Sequence, residues 1–379
     1  MPTHSAAGTY IQSLAGYRTF IPHDLPPGLA LSPRVTRLVE DATHLLGKVE
    51  MCRTLLPNAE LLVYSSLQRE AIASSTIEGT IASPEELVLF QVSQQSERAS
   101  VREVANYAAA LGAGCEQIKK LPVINENLVL RLHSDLLAGV RGYVGAGRFK
   151  VGQNAIGSST DSIENAAFVP PPPERTQELM ASLLQYLNDE GNRDARVVQC
   201  ALVHYQFETI HPFSDGNGRV GRLVIILQMI LLGLLSAPLI YPSVYFERRR
   251  QEYYNHLQAV RERSEWDEWI GFFAEGVIKQ CGDTMEFTQT VLNLKERIHQ
   301  ELDNVRSRAT VLSVLDAFFV HPIQSITSIS GRSRISYNAV AGALSILENL
   351  GIVREITGRA KGRVYLCRPV HAAIFGGEG

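Results

Sequence analysis

The stretch Phe207–Arg222, "FETIHPFSDGNGRVGR", runs directly into Leu223–Leu235, "LVIILQMILLGLL". Pro212 follows His211, and a residue before proline is pushed out of helical geometry, so His211 marks a helix exit facing a loop. The glycines of "SDGNG" turn the chain, and a second helix is expected to begin around Gly218–Val220. From Leu223 to Phe246 no residue is charged, with Arg222 before and Arg248–Arg250 after. That length approaches a membrane span, but the continuously apolar part is only about thirteen residues, the range of a buried core helix, and Pro238 and Pro242 then interrupt it. A helix apolar all round belongs at the centre of a fold. The expectation is a mainly α protein built on this helix, with no membrane span.

Working outward, Val35–Leu56, Glu60–Glu78, Arg98–Leu121, Asn125–Leu137 and Thr176–Asp189 show helical apolar spacing. After the central stretch, Glu252–Arg263, Trp266–Thr284 and Phe287–Asn304 do the same. Between Leu137 and Thr176 the Gly, Ser and Asn content rises and four prolines close the segment. Phe149–Ile156 and Ala166–Val169, joined by a loop beginning "GSSTDS", read as a short β-hairpin flap. Beyond Val305 the composition shifts: Arg306–Arg368 holds nine Arg or Lys against three acids, about +6, in a chain of net charge −3. Helices at Thr310–Val320, Ser325–Ser330 and Ser336–Asn349, then two strands around a basic turn, give a small winged-helix pattern. The expected division is residues 1–120 as an N-terminal helical region, 121–280 as the core, 281–305 as a linking helix and 306–379 as the winged-helix domain.

The 379 residues, 45% hydrophobic and 20% charged, suit two or three globular domains. Cysteines 52, 115, 200, 281 and 367 form no C-x-x-C pair, which argues against a disulfide framework or zinc site and for a reducing, cytoplasmic setting. The first residues lack the basic and apolar regions of a secretory signal.

A glycine-rich loop feeding a helix N-terminus is an anion site, because unpaired amides and the helix dipole both favour phosphate. Arg219 and Arg222, three apart on the first turns, can both reach along a polyphosphate. Asp215 beside phosphates is explained by a metal, since a carboxylate with phosphate oxygens is the usual setting of Mg²⁺. His211, neutral near pH 7, is the candidate general base for an incoming hydroxyl.

With these residues in place, the sequence resembles the Fic family. "HPFSDGNGR" with Arg222 matches that family's H-x-F-x-[DE]-G-N-G-R-x-x-R signature, and the flap ending "FVPPPP" and the later "YYNHLQAVR" agree with it. The resemblance covers roughly Leu61–Lys279 and implies an all-helical core and transfer of AMP from ATP to Ser, Thr or Tyr hydroxyls of target proteins and of the chain itself. It implies His211 as base, Asp215 as Mg²⁺ ligand, and Gly216, Asn217 and Gly218 as phosphate cradle. Arg219 and Arg222 would hold the triphosphate, Phe213 would anchor the loop, and Tyr253 and Tyr254 would wall the adenine. The flap would hold an extended target segment by strand addition. Upstream, "SSTIEGT" holds Ser74-x-x-x-Glu78-Gly79, similar to the family's inhibitory motif. Glu78 would then compete for Arg222 with the γ-phosphate of bound ATP.

Other readings remain open to the sequence. Glu208-x-x-His211 and Glu296-x-x-His299 have the spacing of a di-iron bundle. Arg332 and Arg334 before the third C-terminal helix, with Arg359, Lys361 and Arg363 on the turn, could meet DNA phosphates or a protein, making the chain a regulator that uses its core as a nucleotide sensor. Transfer of another nucleotidyl or phosphoryl group, removal of AMP, and a homodimer are also open.

Overall fold

The computed structural model describes residues 4–5, 7–13, 16–56, 59–93, 98–140, 145–157 and 163–376. Strands β1 (His4–Ser5), β2 (Gly8–Gln12) and β3 (Arg18–Pro22) form an antiparallel sheet at the start. Then come α1 (Pro33–Leu55), α2 (Glu60–Ile77), α3 (Pro84–Ser93), α4 (Ala99–Lys120), α5 (Glu126–Leu136), α6 (Pro173–Leu187), α7 (Arg196–Ile210), α8 (Asn217–Leu231), α9 (Pro242–Arg248), α10 (Arg250–Arg263) and α11 (Trp266–Glu301). The C-terminal part is α12 (Arg308–Phe318), β4 (Ile323–Ser325), α13 (Ile326–Ser333), α14 (Tyr337–Asn349), β5 (Val353–Glu355), β6 (Val364–Cys367) and α15 (Arg368–Phe375).

Local signals place several helix starts. Ser32 caps α1 by accepting from the Val35 amide, with Pro33 as first residue, where its missing N–H costs nothing. Asn125 caps α5 through the Leu128 amide at 2.9 Å. The centre is α8, buried at every residue from Asn217 to Met229 as its apolar circumference requires. Helices α7, α4, α5 and α2 pack around it, and α1 lies along α11. Each fully buried Leu or Ile there contributes about 1.5–3 kcal/mol of burial energy. Among the described residues no helix is long and apolar enough to cross a membrane.

Four features before the C-terminal part differ from the sequence reading. The first 22 residues hold a sheet where only helix was expected; Phe20 and Thr19 of β3 donate to the carbonyls of Val169 (3.1 Å) and Pro170 (2.6 Å). β3 thus pairs with the second leg of the flap, and among the described residues the expected hairpin shows a single bridge, Ile156 with Phe168; the flap-loop residues Ser158–Ser162 lie outside the described residues. Helix α3 is additional. Its Ser83-x-x-Glu86 is a capping box, the Ser83 amide donating to Glu86 (2.8 Å) and the Glu86 amide to Ser83 Oγ (3.2 Å). Finally, the two helices expected at Trp266–Thr284 and Phe287–Asn304 are one, because Phe287, Val291, Leu294 and Ile298 continue the buried stripe and nothing breaks it. The expected boundary at 280/281 therefore falls inside α11.

The C-terminal sheet has the order β4-β6-β5, antiparallel throughout, behind α12–α14. The two strands around the basic turn were expected; β4 and α15 were not. α15 folds back against α11 and α2, where Arg69 donates to the carbonyls of Ile374 (2.6 Å) and Ala373 (3.1 Å).

Candidate active site

Helix α7 ends at His211, whose backbone is left-handed at φ 50°, ψ 62°. For a residue other than glycine this conformation costs on the order of 1 kcal/mol and persists only where its surroundings impose it. They do so here. The fully buried Phe213 ring stacks on His133 at 3.8 Å between centroids, and the Asn217 side chain both accepts from the Phe213 amide and donates to its carbonyl, each at 2.7 Å. The Gly147 amide donates to His133 Nδ1 (2.9 Å), which leaves Nε2 to donate to the Asp215 carbonyl (3.0 Å).

His211 is half-buried. Burial first, then the charges of Lys150 and Arg261, pull its pKa down to about 3. It is therefore neutral across the physiological range. Arg261 donates to Thr209 Oγ1 (3.2 Å) and lies 3.8 Å over the Phe168 ring of the flap.

The two arginines of the motif are each paired. Arg222, with 1% of its side chain exposed, donates to Ser74 Oγ (2.8 Å), the Ser74 carbonyl (2.8 Å) and Glu78 Oε1 (2.7 Å). Burial works against its charge, but Glu78 holds its pKa above the usual range. Ser74 and Glu78 sit on one face of the end of α2, which Gly79 terminates at φ 82°. The Glu78 carboxylate also covers the loop: a Cβ at Gly218 would collide with Glu78 Oε1 and lie 2.8 Å from Arg222 Nη1. Arg219 is bound to Glu103 of α4 at 2.8 Å, and Glu103 also accepts from Thr80 (3.0 Å), two residues beyond Glu78.

Asp215 is 64% exposed at its side chain. It is a single hard oxygen donor next to the anion cradle, and that donor set fits Mg²⁺ completed by phosphate oxygens and water. Among the described residues no three His, Cys, Asp or Glu side chains form a metal set. The second Glu-x-x-His is remote from the first in its contacts, His299 facing Asp316 at 3.4 Å.

Of the two tyrosines, Tyr253 is fully buried, its hydroxyl 2.8 Å from His204 Nε2 and its ring stacked on Phe246. Tyr254 is 36% exposed and presents the ring surface. Asn217 closes the loop on Phe213 rather than pointing its amide outward. Glu103, His133, Lys150 and Asn154 were not legible as site residues: each is a lone residue, tens of positions from the motif, and no local pattern marks it.

Glu208, 8% exposed, has its Oε1 buried without a hydrogen-bond partner among the described residues. Burial pushes its pKa up to about 7, opposed by Arg222. A raised folded-state value means stability that is fully present below about pH 4.5 and is lost as pH rises through 7. Glu208→Gln removes that loss. Its stability relative to the parent should rise between pH 5 and pH 8 by on the order of 3 kcal/mol in denaturant unfolding; an unchanged difference would show that Glu208 is not buried as a neutral acid.

The Fic/DOC family model matches residues 123–229, and the Fic/DOC family N-terminal model matches residues 36–116. The "Probable protein adenylyltransferase" of Aquifex aeolicus is 32% identical over 146 residues, 38% of this chain and 39% of that one. Protein adenylyltransferase fic-1 of Caenorhabditis elegans is 33% identical over 133 residues, 35% of this chain and 23% of that one. The matches thus span under two-fifths of these curated relatives. In structure, a Fic family protein from Desulfovibrio desulfuricans G20 covers 90% of this chain and 98% of its own at TM-score 0.57 and 20% identity. Fic-1 from C. elegans covers 68% and 73% at TM-score 0.53 and 20% identity. Both are similar to this chain in fold.

Proposed function

Since the chain belongs to the Fic/DOC family through residues 36–116 and 123–229, we propose that it transfers AMP from ATP to protein hydroxyl groups, its own included, and restrains itself through Glu78. The observation that carries this reading is the Glu78 carboxylate bonded to Arg222 at 2.7 Å and lying over Gly218, an anion already seated in an anion cradle. The names of the relatives support the chemistry.

In the reaction, His211 takes the proton of a Ser, Thr or Tyr hydroxyl as its oxygen bonds to the α-phosphorus, and the bond to the bridging oxygen breaks to release pyrophosphate. Amides at the start of α8 and Arg222 stabilise the charge that develops on the phosphate oxygens. Asp215 would hold Mg²⁺, which when bound would neutralise part of the polyphosphate charge. The exposed ring of Tyr254 serves the adenine. The flap receives an extended target segment, a role supported by Val151 of its first leg, which is 95% exposed. The five free, buried thiols support a reducing compartment.

The test is intact mass after incubation with each nucleoside triphosphate and Mg²⁺, on the parent and on Glu78→Gly. An AMP increment from ATP is expected in the variant. No increment with ATP, or a phosphoryl increment instead, would overturn the reading.

A second activity is proposed for the C-terminal domain, in which α12–α14 and the β5–β6 turn adopt a winged-helix role on DNA. Arg332, Arg334, Arg359, Lys361 and Arg363 are all exposed, and none forms an ion pair among the described residues. Five phosphate contacts would give DNA affinity a log–log salt slope of about −4.5. Truncation after Val305 should abolish that binding and leave ATP binding intact. DNA affinity unchanged by truncation or by salt would refute it.

A further inference from the structure

His211 keeps its left-handed backbone because the peptides around it are fixed, and besides Asn217 and His133 one further residue takes part in the fixing. The Lys150 amide donates to the Pro212 carbonyl at 2.8 Å, and the Lys150 ammonium donates to the Ile210 carbonyl at 3.2 Å. The carbonyls on either side of His211 are thus both held by Lys150. Four residues further on, Asn154 donates to the Phe213 carbonyl at 2.7 Å. The same short segment is the first leg of the flap, so flap and histidine loop are joined at three carbonyls.

Lys150 is 4% exposed and forms no ion pair among the described residues. A buried ammonium with a carbonyl as its acceptor is costly, whereas a methionine of similar length would fill the space without that cost. Stability alone does not account for a lysine here.

We propose that Lys150 is a positioning residue for the base of the reaction: its two donors hold the Ile210 and Pro212 carbonyls and so aim the His211 imidazole at the incoming hydroxyl. Burial pulls the Lys150 ammonium down to about 7, which is consistent with the cost of keeping it there. The assignment rests on the reading of His211 given above, and it extends that reading to a residue outside the glycine-rich motif.

Lys150→Met separates this role from a merely structural one. In the Glu78→Gly background, with ATP and Mg²⁺, kcat for self-modification should fall about 10- to 100-fold, because displacement of a reacting group by an ångström costs on that order. The KM for ATP should stay within about twofold, since Lys150 holds the base and not the phosphates. The melting temperature at pH 7.5 should be equal or higher. Parental kcat, a loss expressed as raised KM, or a loss accompanied by a lower melting temperature would each overturn the proposal. Amide hydrogen exchange gives a readout independent of turnover: the His211 and Phe213 amides should exchange faster in Lys150→Met while the middle of α7 does not. Unchanged exchange at these amides also overturns it. A Glu78→Gly parent that transfers no AMP would refute the proposed function, and the exchange comparison would still decide whether Lys150 fixes the His211 loop.

Discussion

Replacing Glu78 by glycine is expected to raise AMP transfer on the order of a hundredfold. In the parent, the Arg222 guanidinium is committed to Glu78 and Ser74, and the Glu78 carboxylate stands over Gly218 where phosphate amide contacts would form. A triphosphate must displace that carboxylate or bind out of line, and in-line attack loses about two orders of magnitude for an ångström of misplacement. The substitution has a thermodynamic signature as well. Arg222 remains buried without its carboxylate, which should cost about 1–3 kcal/mol of stability in the free protein, less than for a fully buried pair because Glu78 is 32% exposed. ATP restores a counter-charge, so it should raise the melting temperature more in Glu78→Gly than in the parent. Initial rates by intact mass and thermal shifts with ATP check both parts. Adding Arg222→Ala should cancel the activation. Equal rates for parent and Glu78→Gly under saturating ATP and Mg²⁺ would reduce the Ser74–Gly79 segment to a helix end.

Removal of the base should have the opposite effect. In the Glu78→Gly background, His211→Ala should lower transfer by about 10²–10⁴, the usual worth of a general base, while ATP still binds. Because residue 211 has φ 50°, alanine there also strains the backbone, which gives a useful contrast. His211→Gly should be the more stable of the two variants, since glycine adopts left-handed geometry freely, yet be equally inactive. Comparing their transfer rates and unfolding midpoints separates loss of the imidazole from disturbance of the turn. Transfer retained by His211→Gly would remove the histidine from the mechanism.

Much of the architecture was legible because it depends on neighbours in sequence. The uncharged run after Arg222 required a buried central helix, Pro212 required α7 to stop at His211, and Ser32, Asn125 and Pro173 fall where helices begin. The capping box of α3 carries the same kind of signal. The winged-helix expectation rested on a local pattern of three helices and a turn, and the strand it omitted, β4, is three residues whose pairing comes wholly from β6 forty residues later. The N-terminal sheet and the flap were misjudged for that reason: short segments become strands or stay irregular according to which carbonyls reach them, and here β3 meets Val169.

For the site, the sequence by itself determined which groups the loop carries: a histidine at a helix exit, an acid, glycines before a helix N-terminus and two arginines one turn apart. Those properties follow from spacing along one chain segment. Only the tertiary structure decided what each group faces. It placed Glu78 on Arg222 across 144 positions and Glu103 on Arg219 across 116, sent Tyr253 into the core while leaving Tyr254 at the surface, and brought Lys150 to the carbonyls of Ile210 and Pro212. Such contacts are set by how α2, α4 and the flap dock on α7 and α8. Charge pairing and proton affinity act over a few ångströms of space, and that distance is fixed by packing and not by position in the chain.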